Sequence, residues 1–142
     1  MQKFTIPLLC QFFVSLTQGL VVHEKRVDSS YTWKIKDLNR LVRWDENLVD
    51  LSMTIVDGSP TGVYCEVIAR APPDTDLNAW SFSNFNCLNN DWSIYWGYQY
   101  GNDAGVMTVV SPDKDKRAFF GFDHVNTQTH LGNSGPSQVS AV

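Results

Sequence analysis

Few side chains in this 142-residue chain could do acid–base or nucleophilic work. From Val27 onward there are two histidines, His124 and His130. A hydrolytic site needs a nucleophile, a base and a group that orients the base. Asp123 and His124 are sequence neighbours, so a strand turns them to opposite faces and forms no dyad. His130 lies in a polar tail, and both histidines read as structural or solvated. A small ribonuclease would want a carboxylate base, an imidazole acid and an arginine for the phosphate. Glu66, His124 and Arg70 supply those types, but no spacing ties them into a site. Carboxylates for glycoside hydrolysis are available, yet nothing marks a pair at the needed separation. No His or Cys cluster has metal-ligand spacing, and no glycine-rich phosphate loop is present. The chain reads as non-enzymatic, with no cofactor and no metal.

Aromatic residues, 13% of the chain, offer binding chemistry instead. Trp92, Trp96, Tyr98 and Tyr100 fall at alternate positions and so share one face of a strand. That face is either core, because aromatics favour strands and carry large burial, or a platform for a glycan or flat apolar ligand. Alternation favours the core. Tyr95 faces the other way and is the better interface candidate. Trp44, flanked by Arg43 and Asp45, either meets a partner or covers one end of the fold. The candidate interaction residues are therefore Trp44, Trp92, Tyr95, Trp96, Tyr98 and Tyr100. Asp113 to Arg117, with alternating charge signs, reads as a solvated hairpin tip.

The elements that must position these residues repeat with period two. Tyr31 to Lys36 alternates aromatic and aliphatic residues with Thr and Lys. Val49, Leu51, Met53 and Ile55 form one apolar face. Gly and Pro build a turn at 57–62, and Val63 to Arg70 follows as a strand ended by Pro72-Pro73. Further strands are expected at 79–87, 92–100, 106–110 and 117–124, with a hairpin at Gly101 to Gly105. Leu38 to Leu48 has ambiguous apolar spacing and room for one helical turn. The segment from Val125 onward is polar, with one short strand at Gln138 to Ala141. Short strands regularly divided by turns predict an all-β fold, a single-domain antiparallel β-sandwich or barrel. Length and composition agree: this is one domain's worth of chain, and 18% charged residues with many aromatics exclude disorder.

The N-terminus reads as an address. Lys3, the apolar stretch from Phe4 to Leu16, and small residues Thr17 and Gly19 form a secretory signal pattern over 1–19. Lys25-Arg26 is a candidate dibasic site that would end a pro-segment at 20–26 and leave a single β domain at 27–142. Cys10 departs with the signal, leaving Cys65 and Cys87 in an oxidising compartment. Secretion and parity favour one disulfide over two free thiols. It would close a loop of about 23 residues, worth roughly 3 kcal/mol on the chain-entropy model. The whole chain carries a net charge of −4, and from Val27 onward 8 Lys+Arg stand against 14 Asp+Glu. Such a surface disfavours nucleic acid and anionic membranes. No apolar run beyond the signal is long enough to span a bilayer.

A signal peptide followed by Tyr31-Thr32-Trp33-Lys34-Ile35, Tyr64-Cys65-Glu66, Cys87 after a Trp-containing stretch, and paired aromatic hairpins ending near Phe122 resembles the family of the Alternaria major allergen. These are small secreted fungal β-barrel proteins that include elicitors and effectors. The similarity covers about residues 30–125 and is carried by order and spacing. It implies a Cys65–Cys87 bridge and a non-enzymatic apoplastic protein that engages a host extracellular protein, a small ligand or a glycan. The chain lacks a second C-terminal Cys pair and an N-terminal Cys of the mature form. A covalent dimer is therefore not implied, and a monomer or non-covalent dimer is expected. The functional expectation is a secreted effector or elicitor whose loops bind the partner. The alternatives are a carbohydrate- or small-apolar-ligand-binding module, and then a small hydrolase or ribonuclease.

Overall fold

Strands, with no helix among the described residues, build two antiparallel sheets in a computed structural model that describes residues 31–142. The signal segment, the dibasic site and Cys10 lie outside the described residues. In chain order the strands are β1 (Thr32–Arg43), β2 (Leu48–Val56), β3 (Val63–Arg70), β4 (Phe82–Asn86), β5 (Ser93–Gln99), β6 (Ala104–Val110), β7 (Lys116–Asp123), β8 (His130–Gln138) and β9 (Ser140–Ala141). One sheet runs β3-β2-β1-β8 and the other β4-β5-β6-β7-β9. The architecture is a sandwich rather than a closed barrel.

Alternation places the core. Leu51, Met53 and Ile55 of β2 and Cys65, Val67 and Ala69 of β3 face inward from one sheet. Ile94 and Trp96 of β5, Met107 and Val109 of β6, and Ala118, Phe120 and Phe122 of β7 face inward from the other. The indoles of Trp33 and Trp92 meet edge to face between the sheets at 4.9 Å. Trp96 stacks towards Phe122 at 6.3 Å.

Leu38 to Leu48 departs from the expected helical turn. It completes β1 and then makes a tight turn at 44–47. The cause is a bulge: Lys36 pairs with Thr54 but Asn39 with Ser52, so β1 holds one extra residue. Asp37 sits at φ 53°, and its N–H donates to Asn133 Oδ1 at 2.9 Å. The extra residue switches the inward parity from Trp33 and Ile35 to Leu38 and Arg40. A period-two reading loses phase there, which is why the spacing looks ambiguous in sequence.

The polar tail is also more ordered than expected. Besides the short strand near its end, it supplies the nine-residue β8, paired with β1. Its strand character comes from that pairing, since as an edge strand it buries little and carries no apolar stripe.

Both seams between the sheets are fastened. At one, the Cys65–Cys87 disulfide joins β3 to the end of β4. Beside it, Leu88 N–H donates to the Glu66 carbonyl at 2.8 Å. At the other, β9 pairs only with Lys116 and Arg117 of β7. Farther along, the edge carbonyls of Gly121 and Phe119 accept from Ser134 Oγ and Ser137 Oγ of β8. Side-chain hydrogen bonds there replace the ladder that would close a barrel.

Candidate interaction site

The six aromatic candidates are dispersed by the fold. Trp92 and Trp96 are 6% and 2% exposed and their indoles belong to the core. The reason is that Trp96 of β5, and Trp92 just before it, turn towards the opposite sheet. Tyr98 is half-buried at the sandwich end and packs edge to face on Tyr100 at 5.3 Å. Tyr100 lies in the β5–β6 hairpin and is 79% exposed. Trp44 lies in the β1–β2 turn, also exposed. Tyr95 is half-buried on the outer face of its sheet, as its parity predicts.

That outer face is concave. Tyr95 pairs with Thr108 and Thr108 with Phe119, one row across three strands. The next row is Gly97, Val106 and Gly121. Neighbouring strands lie about 4.8 Å apart, so the Tyr95 and Phe119 backbones stand about 10 Å from each other. Two aromatic side chains thus overlook a floor bared by glycine. The resulting shallow groove has a volume of about 430 Å³, with Ser81 and Ser83 at the β4 side. Tyr95 Oη donates to Asn84 Oδ1 at 3.3 Å, and the Arg117 guanidinium lies 5.5 Å from the Phe119 ring centroid. The groove can receive a flat or branched apolar group. It offers no nucleophile–base pair.

A second, more polar pocket of about 240 Å³ opens at one end of the sandwich, between the end of β1 and residues 125–129. Arg40, 3% exposed, lies under it. Its Nη1 donates to the Val125 carbonyl and Asn126 Oδ1 at 3.0 and 3.2 Å. Its Nη2 donates to the carbonyls of Leu77 and Asn78 at 2.8 and 3.5 Å. Nε finds no partner among the described residues. The guanidinium also sits 5.7 Å from the Trp96 ring centroid. Burial pulls its pKa below the usual arginine value, opposed by the charges of Asp103 and Tyr98.

The profile of a protein family described as Effector TSP1 matches residues 34–141. The chain belongs to the Effector TSP1 family. No curated protein matches it. The matched span takes in almost the whole sandwich, with Cys65 and Cys87, both pockets, and Trp44, Tyr95 and Tyr100.

In this member of the Effector TSP1 family, the ribonuclease-type residues are not assembled. Glu66 and Arg70 share the outer face of β3, and Arg70 donates to the Glu46 carbonyl at 2.8 Å. His124 follows β7 in the other sheet, at φ 57°. Among the described residues no hydrogen bond or ion pair joins the three, and no group of His, Cys, Asp or Glu is placed to hold a metal ion. Sequence reasoning found Tyr95 but missed the groove's other parts. Phe119 had a signal, as the outward aromatic between inward Ala118 and Phe120. Gly97 and Gly121, glycines inside strands, were the sign of a bare surface.

Proposed function

We propose that this chain is a secreted fungal effector that acts in the host apoplast by binding rather than by catalysis. Its partner is a host extracellular protein received in the Tyr95–Phe119 groove. Membership of an effector family is the observation that carries the reading. The groove supplies a place, because concave apolar surface with few polar groups is where binding energy concentrates. Sequence reasoning assigned contact to loops, whereas this assignment puts the anchor on a sheet face and leaves exposed loop residues such as Tyr100 and Leu88 to the rim. The proposal extends to kinship with the Alternaria major allergen family, argued from the order and spacing of its aromatic and cysteine residues, to secretion through the 1–19 signal, argued from its residue pattern, and to a role in virulence.

The test is capture from host intercellular fluid by the oxidised mature protein, with heat-unfolded bait as control. Gly97→Val would fill the groove, since a Cβ there meets nothing closer than the Val106 carbonyl oxygen at 3.8 Å. A discrete partner, lost with Gly97→Val and with Phe119→Asp, is the expected result. Capture retained by both variants would refute the groove. No protein partner, together with saturable binding of a small apolar compound, would favour the ligand-binding reading at the same surface.

A further inference from the structure

The end pocket carries chemistry of a different kind from the groove. Asn78, Asn126, Thr127, Gln128 and Thr129 line one part of it, and Trp44 stands at its edge. Trp44 is 57% exposed, while Trp33, Trp92 and Trp96 are in the core. An exposed indole offers an apolar face with a polar tip. Amide and hydroxyl side chains offer donors and acceptors together, the combination that matches a ring bearing several hydroxyls. Among the described residues the side chains of Asn78, Gln128 and Thr129 make no hydrogen bond to another residue.

The pocket wall is fixed before any ligand arrives. Arg40 ties together the backbone at Leu77, Asn78 and Val125. Its own amide donates to the Thr129 carbonyl at 2.8 Å. Asp103 accepts from Asn126 N–H at 3.2 Å. A wall held this way loses little freedom on binding. Arg40 is also the one charged residue among those lining the pocket. It makes no ion pair with a described residue, and Asp103 offsets its charge only at longer range.

We propose that this pocket is a saccharide subsite: Trp44 stacks on a sugar ring, Asn78, Gln128 and Thr129 bind its hydroxyls, and the charge of Arg40, which has no ion-pair partner among the described residues, selects a uronic acid unit. The site is separate from the groove and stands whether or not the groove binds protein. Arg40 acts through its field and by positioning the wall, since its donors other than Nε are already engaged.

Isothermal titration calorimetry of the oxidised mature protein tests this with three probes: a uronic-acid trisaccharide, a neutral trisaccharide of the same linkage, and hexaglutamate. The acidic sugar should bind at least about tenfold more tightly than the other two, a difference of about 1.4 kcal/mol, and more weakly as salt rises. Trp44→Ala should abolish the heat and Gln128→Ala should weaken binding about tenfold, both with unchanged thermal midpoints. Gly97→Val should bind the sugar normally. Absence of saturable heat at millimolar sugar, or unchanged affinity in Trp44→Ala, would overturn the site. Equal affinity for the neutral sugar would overturn the role of Arg40. Equal affinity for hexaglutamate would overturn the saccharide class in favour of an acidic peptide.

Discussion

Gly105→Ala tests how tightly the core is fitted around Trp96. Gly105 lies in β6, paired with Tyr98 and Phe122 on its two sides. A Cβ added there would stand 2.3 Å from Trp96 Cζ2 and 2.4 Å from Cη2. Carbon atoms rest at about 3.5–4.0 Å, so the indole would have to retreat by roughly 1.2–1.7 Å. It has little room to do so. The ring is 2% exposed, with the Arg40 guanidinium and Phe122 against it. Overpacking of this kind costs about 1–3 kcal/mol, while replacing glycine by alanine returns about 0.4–1 kcal/mol through the unfolded chain. The net expectation is a loss of about 1.3 kcal/mol, read by urea denaturation as a lower midpoint at unchanged slope. Trp96→Phe removes the overlapping ring atoms. In a Gly105→Ala/Trp96→Phe double variant the glycine substitution should therefore cost at least about 1 kcal/mol less than in the parent. A Gly105→Ala protein as stable as the parent, or strictly additive double-variant energies, would refute the reasoning.

Three further outcomes follow from the fastened seams and the buried cation. Cys65→Ser should lower stability by about 3 kcal/mol; a thermal midpoint that does not move on reduction would show the bridge to be energetically idle. Arg40→Met should cost about 3 kcal/mol, because the buried carbonyls of Leu77 and Val125 lose their donors; an unchanged urea midpoint would contradict that account. Ser134→Ala and Ser137→Ala should each cost about 1 kcal/mol and speed amide exchange in β8, which hydrogen-exchange mass spectrometry can follow; protection equal to the parent would mean that β8 is held by β1 alone.

Much of the fold is legible in the residues because it is local. β2, β3, β5 and β7 bury one side of a period-two pattern, and that pattern survives being read without knowledge of neighbours. The Cys65–Cys87 pairing follows from parity once the signal is removed. Trp92 and Trp96 are core on the same logic, and Tyr95 points outward for the same reason. What alternation cannot register is an inserted residue. The bulge at Lys36 to Asn39 shifts the parity of β1 and carries Arg40, a residue type usually solvated, into the interior. Nor can it register pairing supplied from elsewhere, as in β8, which is a strand because β1 offers it an edge.

The candidate sites divide in the same way. Sequence alone determined that the chain is all-β and that Tyr95 faces away from the Trp92–Trp96 side of its strand, while it left Trp44 open between a contact surface and a cover for one end of the fold. Tertiary structure decided which of these residues have neighbours to work with. Register across β5, β6 and β7 sets Tyr95, Gly97, Val106 and Phe119 side by side. The return of the chain at 125–129 closes a polar pocket beside Trp44. Both are long-range juxtapositions, fixed by hydrogen-bond register and by which edges meet, and neither leaves a periodic mark on the sequence.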